Sequence, residues 1–118
     1  MTDRKAVPGG PGTPIITGPL PISEKVFTRR VEDLAKVTGW LCYHTWNSQH
    51  SEAGWPDLAL CRPPRLLLIE LKAEGAKLTL AQLYWMEQLL ACPGVEVFVW
   101  RPQDWETIKS TLEGKGVA

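Results

Sequence analysis

The sequence predicts an α/β domain in which helices pack against a mixed β-sheet. Two segments, 23–39 and 79–94, place apolar residues at helical spacing between a capping residue and a glycine. A nearly continuous apolar run, 66–71, is typical of a strand that is covered on both faces. The elements follow one another as α-β-β-β-α-β-α, and the β-α-β part implies one right-handed parallel crossover.

The first helix follows a stretch rich in proline and glycine. We predict that residues 1–22 form a disordered tail, because this composition buries too little apolar surface to offset its ordering entropy. An arm that wraps a partner subunit is the alternative. Ser23 is a suitable N-cap, and the helix ends at Gly39. Its apolar stripe consists of Phe27, Val31, Leu34 and Ala35.

Three strands are predicted next along the chain. Residues 40–46 alternate between two sets of β-forming side chains, and the polar residues 47–54 form a loop. Residues 57–61 and 66–72 are the two arms of a hairpin around a Pro-Pro turn. The second arm is apolar enough to be a central strand.

The second half of the sequence predicts a helix, a strand and a last helix. Thr79 caps the helix, which stops at the Pro-Gly pair 93–94. Its apolar side is marked by Leu80, Leu83, Met86 or Glu87, and Leu90. Residues 95–100 form a strand and 105–112 a helix. Arg101 is interpreted as a strand-end charge rather than a phosphate contact.

Composition limits the classes of protein that remain. The 118 residues suit one domain, and no apolar run is long enough to span a bilayer or serve as a signal peptide. The formal net charge of zero argues mildly against a non-specific DNA binder but leaves room for one local DNA-binding face. The three cysteines lack metal-ligand spacing, which predicts free thiols in a reducing cytoplasm.

Glu70 is the most anomalous residue, because it is a carboxylate in an otherwise apolar strand. Lys72 lies two residues on and projects from the same face, and Asp57 follows Pro56 at the start of the neighbouring strand. Burying these three charges together costs stability unless a partner offsets it, and a divalent metal would do so. The two carboxylates and the backbone carbonyl of Leu71 are oxygen ligands of the kind that Mg²⁺ takes.

Such a site predicts phosphodiester hydrolysis. A bound metal polarises a phosphate and lowers the pKa of a bound water, while Lys72 orients or deprotonates that water or offsets charge on the phosphate. Glu24, at the start of the first helix, could reach the metal directly or through a water. The competing interpretation is chance, since surface strands carry Glu and Lys freely.

Seven segments, taken in order, resemble the VRR-NUC branch of the PD-(D/E)xK nuclease superfamily, especially its small stand-alone phage and prophage members. They are SExxF at 23–27, GW at 39–40, YHT at 43–45, GWPDL at 54–58, ELK at 70–72, LTxxQxxW at 78–85 and VWRPxDW at 99–105. The resemblance covers about residues 23–112 and implies a restriction-endonuclease-like α-β-β-β-α-β core. Residues 23–118 are therefore interpreted as the nuclease domain. The family usually has Gly-Phe-Pro-Asp where this chain has Gly-Trp-Pro-Asp, which keeps an aromatic residue.

The resemblance also implies roles for individual residues. Asp57 and Glu70 match the family's metal ligands, and Lys72 matches its catalytic lysine. Glu24 matches the first-helix carboxylate, and Gln82 matches the glutamine of the active-site helix. Polar residues near the substrate are implied at His44, Ser48 and Ser51, although a hydrogen-bonded structural role is an equal alternative for the histidine.

The implied protein is a Mg²⁺- or Mn²⁺-dependent DNA endonuclease that cuts branched DNA as a homodimer similar to a Holliday-junction resolvase. It would act in the cytoplasm, or in the host-cell cytoplasm if phage-encoded, without a membrane partner. One alternative is a non-catalytic DNA-binding or assembly module on a nuclease fold. Another is a general nuclease subunit that partner proteins target.

Overall fold

Three α-helices flank a four-stranded sheet in the computed structural model, which describes residues 22–45 and 52–114. The helices are α1 (Glu24–Val37), α2 (Leu80–Leu90) and α3 (Trp105–Leu112). The strands are β1 (Leu41–His44), β2 (Leu58–Arg62), β3 (Arg65–Leu71) and β4 (Glu96–Trp100). The predicted α/β class and element order are confirmed. The tail predicted at 1–22 lies outside the described residues except for Ile22, as does most of the loop predicted at 47–54.

The sheet is mixed, with strand order β1-β2-β3-β4. The first three strands are antiparallel neighbours, and β4 runs parallel to β3 after the crossover through α2. β3 is an interior strand whose last five residues are buried, as its apolar run predicts. Leu58 pairs with Ile69, so the residue before β2, Asp57, lies next to Glu70.

α1 packs one face on the sheet through the predicted stripe. Ser23 Oγ accepts a hydrogen bond from the Val26 N–H at 3.1 Å, which caps the helix. Phe27, Val31 and Ala35 are buried, and they join the inward side chains of β2, β3, β4 and α3 in one core. This shared core fixes the position of α1 on the sheet.

α2 differs from the expectation that an apolar helix side faces a core. Met86 is buried, but Leu80 is 85% exposed, and Leu83 and Leu90 are exposed as well. These side chains and Tyr84, with Val97 and Val99 of β4, line an open groove of about 680 Å³. The helix lies at the β4 end of the sheet, and no segment within 22–45 or 52–114 covers this groove, hereafter the α2–β4 groove.

All three cysteines are free, in agreement with the sequence analysis. Over the residues that the structure describes, no helix is long and apolar enough to cross a bilayer.

Candidate active site

Glu70 is a nearly inaccessible carboxylate near the C-terminal end of β3. It is 3% exposed, and its Oε2 accepts a hydrogen bond of 2.8 Å from Gln82 Nε2 on α2. Its position follows from the strand alternation, because Leu67, Ile69 and Leu71 point into the α1 core and Glu70 points to the α2 side. The glutamine that the resemblance implies for the active-site helix thus contacts Glu70 directly.

Asp57 reaches the end of β3 from the neighbouring strand. Its Oδ2 accepts a 2.8 Å hydrogen bond from the Leu71 N–H. The N–H and C=O of one strand residue point to the same edge, so the Leu71 carbonyl is directed toward the Asp57 side. The three oxygen ligands expected from the sequence, the carboxylates of Asp57 and Glu70 and the carbonyl of Leu71, thus lie at one end of β3.

The turn that carries Asp57 is fixed by contacts to β1 and α2. Thr45, just after β1, donates its N–H to the Asp57 carbonyl at 2.8 Å and its hydroxyl to the Pro56 carbonyl at 2.6 Å. On the other side, the Trp55 and Trp85 rings meet edge to face with centroids 5.1 Å apart. These contacts fix the position of Asp57 relative to Glu70.

Gln82 contributes both ends of its amide. Its Oε1 accepts from the Thr79 N–H at 2.8 Å, its own N–H donates to Thr79 Oγ1 at 3.1 Å, and together these bonds form a capping box. Its Nε2 is then directed at Glu70. Because the oxygen is engaged by a backbone donor, the amide orientation follows from the hydrogen-bond network.

The electrostatics connect four of the predicted residues. The pKa of Glu70 is raised from 4.5 to about 8, first by burial, then by the negative charge of Asp57 and a hydrogen bond with that carboxyl group. The Glu24 charge raises it further, and the Lys72 ammonium opposes the rise. All five residues predicted to be catalytic are therefore assembled around one strand end.

The loop after Lys72 is held in place by Trp100, the last residue of β4, and by Arg101, which follows this strand. The Lys72 N–H donates to the Trp100 carbonyl at 3.0 Å. Arg101 Nη1 donates to the Ala73 carbonyl at 2.9 Å and the Ala76 carbonyl at 2.6 Å. Arg101 therefore has a structural role at the strand end, as interpreted from the sequence, and it fixes the chain just beyond Lys72.

The residues predicted to lie near the substrate divide into two groups. His44 is exposed at the end of β1 and lines a surface groove together with Glu24. Ser48 and Ser51 lie outside the described residues. Two positioning features were missed from the sequence: the packing of the Trp55 turn on α2 and the Arg101 hydrogen bonds. The glycine before Trp55 was the available signal for the first.

The oxygen ligands at the end of β3 are of the kind that a hard divalent cation takes. Among residues 22–45 and 52–114, no group of three or more His, Cys, Asp or Glu side chains is arranged to hold a metal. Two carboxylates and a carbonyl remain, and Mg²⁺ binds through one or two carboxylates with waters completing its shell. Burial and the Asp57 charge raise the pKa of Glu70, and a dication beside it would favour its ionised form, so the residues fit such an ion.

Comparison with known proteins identifies the class. The VRR-NUC domain family model matches residues 27–104, more than half of the chain. No significant match was found among curated proteins or among solved structures. The mixed sheet with flanking helices is consistent with this match, which implies a nuclease-type, DNA-cleaving domain. The chain belongs to the VRR-NUC family.

The Gly54→Ala variant is expected to separate α2 from the Asp57 turn. Gly54 has a φ of +91°, and a Cβ there would overlap the Ala81 backbone. We expect a loss of unfolding free energy of about 1–3 kcal/mol, measured by urea denaturation, because the backbone strain is joined by a steric clash. Gly94→Ala is the matched control, with φ +85° and nothing within 4 Å of the added Cβ. Equal losses in the two variants would contradict the role of the Gly54–Ala81 contact.

The metal-free protein is expected to lose stability as the pH rises from about 4.5 to 8. The folded state keeps a proton on Glu70 that the unfolded state releases above pH 4.5, so folding is weakened until the folded pKa of about 8 is passed. One proton gives a slope of at most about 1.4 kcal/mol per pH unit. Urea unfolding in EDTA should show this slope for wild type and a flatter profile for Glu70→Gln. Identical profiles would contradict the assignment to Glu70.

Proposed function

We propose that the chain is a Mg²⁺- or Mn²⁺-dependent endonuclease that hydrolyses phosphodiester bonds in DNA. The observation that carries this proposal is the pair of carboxyl groups at the end of β3, where Asp57 and burial hold the pKa of Glu70 at about 8 beside the Lys72 ammonium. Such strongly perturbed groups cluster at functional sites. Membership of a nuclease family supplies the reaction class.

Each residue has a role in this proposal. Asp57, Glu70 and the Leu71 carbonyl would hold the metal, and Glu24 would reach it directly or through a water. A bound dication supplies Lewis-acid stabilisation of the phosphate and a water of lowered pKa. Lys72 orients or deprotonates the attacking water, or offsets the charge that builds on the phosphate. Gln82 holds the Glu70 carboxylate in one orientation through its 2.8 Å hydrogen bond.

Cleavage assays test the proposal directly. Labelled four-way junction, flap, single-stranded and linear duplex DNA are incubated with the protein in Mg²⁺, Mn²⁺ or EDTA. We expect metal-dependent cutting that falls roughly 100-fold or more in Lys72→Ala and Asp57→Ala, because each loses a group that acts on the reacting phosphate. Lys109→Ala, which removes a lysine that pairs with Glu106 on α3, should cut like wild type.

Two outcomes would overturn different parts of the proposal. Absence of cutting on every substrate would reject the enzyme and favour the non-catalytic module. Undiminished cutting by Lys72→Ala would reject the site while leaving the activity. Cleavage that appears only after a partner protein is added would favour the targeted-subunit alternative.

We further propose that the active form is a homodimer that cuts branched DNA, as a Holliday-junction resolvase does. One domain carries one active site, and two coordinated cuts need two. The α2–β4 groove is the proposed interface. β4 is an outer strand whose free edge has no neighbour among the described strands, and a second copy can pair with it antiparallel about a two-fold axis. The exposed leucines of α2 would then be covered by their symmetry mates.

The interface is tested by charge insertion. Leu83→Glu and Leu90→Glu place a carboxylate in the groove and should convert a dimer to a monomer, measured by light scattering at micromolar protein. Leu41→Glu is the matched control, because Leu41 is 73% exposed on β1 at the opposite edge of the sheet. A monomeric wild-type protein would reject the dimer. A dimer that survives both substitutions would reject this interface. Preference for the junction over linear duplex would support the branched substrate.

The remaining assignments are also proposals. We propose that residues 23–118 form the nuclease domain and that a tail at 1–22 precedes it; of this tail, the described Ile22 packs against the core. The three free cysteines fit the reducing cytoplasm, either of a cell or of a phage-infected host.

A further inference from the structure

A second surface groove begins at the candidate active site. It has a volume of about 420 Å³ and lies between α1 and β1. Its lining side chains are Glu24, Lys25, Thr28, Arg29, Glu32 and His44. Glu24 belongs both to this groove and to the group of charges that acts on Glu70. The α1–β1 groove therefore shares Glu24 with the candidate active site.

The helix arranges these side chains in two rows. Residues four apart lie one above the other, so Glu24, Thr28 and Glu32 form one row. Lys25 and Arg29 form the adjacent row, and their Cα atoms are separated by about 6 Å along the helix axis. Two cations thus follow one line away from the catalytic end of α1.

The lining favours a phosphate backbone as the ligand. The six side chains include no Phe, Tyr or Trp ring on which a base could stack, and His44 is the one aromatic side chain among them. They do include an ammonium, a guanidinium and an imidazole, which are donors that proteins use to contact phosphate oxygens. The Thr28 hydroxyl donates to the Glu24 carbonyl at 2.8 Å. The groove is therefore suited to the sugar-phosphate backbone rather than to base edges.

Arg29 is available for such a contact. Its nearest carboxylate in the described residues is that of Asp33, and the Nε–Oδ1 distance is 3.7 Å, with side chains 79% and 66% exposed. An exposed pair of this kind contributes little to stability, so a phosphate can replace it. Asp33 nevertheless competes with the phosphate for the guanidinium.

Two carboxylates also line the groove and formally balance the charges of Lys25 and Arg29, so phosphate binding depends on how each carboxylate is offset. Glu24 lies at the catalytic end, where the proposed metal would offset its charge. Glu32 lies two turns away and faces β1. Burial raises the pKa of the Cys42 thiol, the Glu32 charge raises it further, and the Lys36 charge lowers it. Both charges therefore act on Cys42 of β1, and Lys36 follows Glu32 by about one helical turn.

We propose that Lys25 and Arg29 bind the phosphodiester backbone of the strand being cut, on the β1 side of the scissile phosphate, with Thr28 and His44 completing the groove. This inference rests on the proposed nuclease function. It assigns sequence-independent, salt-sensitive binding to a protein whose formal net charge is zero.

The test measures DNA binding, which requires no cleavage. Fluorescence anisotropy follows a labelled oligonucleotide in the full chain carrying Lys72→Ala, with Mg²⁺ present so that the site is charged but cutting is suppressed. Lys25→Gln and Arg29→Gln are each expected to raise Kd roughly fivefold, since each removes one charge-assisted contact. Each should also reduce the slope of log Kd against log salt by about one. The double variant should reduce this slope by about two.

Matched variants separate this role from general charge effects. Lys109→Gln on α3 removes the same charge outside the groove and should leave both Kd and slope unchanged. Asp33→Asn releases Arg29 and should tighten binding. Arg29→Lys should restore most of the salt slope. All of these side chains except Lys109 are largely exposed on α1, and circular dichroism checks that each variant stays folded.

The outcomes distinguish this inference from the nuclease proposal. If Lys25→Gln and Arg29→Gln bind like Lys109→Gln, or if wild type binds no DNA, the inference is wrong whatever the cleavage result. In the last arm of the experiment, inorganic phosphate is added to the protein–DNA complex at constant ionic strength. Displacement of DNA by millimolar phosphate would identify a small-anion site and overturn the backbone assignment.

Discussion

The burial of Glu70 is the constraint on which the rest of the site depends. A carboxylate in an interior strand needs partners, and the chain supplies a donor from α2 and a second carboxylate from the start of β2. These partners come from elements on either side of β3 in the sequence. The site therefore exists only when the hairpin and the parallel crossover are both formed, which links folding of the sheet to assembly of the chemistry.

The sequence predicted the fold well because its signals were local and agreed with one another. Ser23 and Thr79 cap the helices that they were expected to cap, and the apolar run of β3 became an interior strand. Local pattern failed on α2, where Leu80 is exposed although it belongs to the apolar side. Periodicity identifies which residues share a face of a helix, but only tertiary packing decides what covers that face.

The sequence identified the candidate residues of the site, but it did not predict the hydrogen bonds that join them. Strand alternation placed Glu70 beside Lys72, and the motif resemblance added Gln82. The double use of the Gln82 amide and the Arg101 contacts with two loop carbonyls depend on distances between elements far apart in sequence. No spacing rule encodes such contacts. The groove along α1 likewise depends on the approach of β1 to this helix, which no local pattern encodes.

The capping box of α2 narrows the range of residue types that position 82 accepts. Its side chain must offer an oxygen to the Thr79 N–H and an NH₂ group to Glu70 at the same time. Glutamate supplies the oxygen without the donor, and asparagine carries both groups on a chain one carbon shorter. Fraying of the first turn of α2 would break the hydrogen bonds of the Gln82 amide with Thr79 and with Glu70. Local opening of this turn would therefore leave the buried Glu70 carboxyl group without its donor from α2, although the rest of the sheet stays folded.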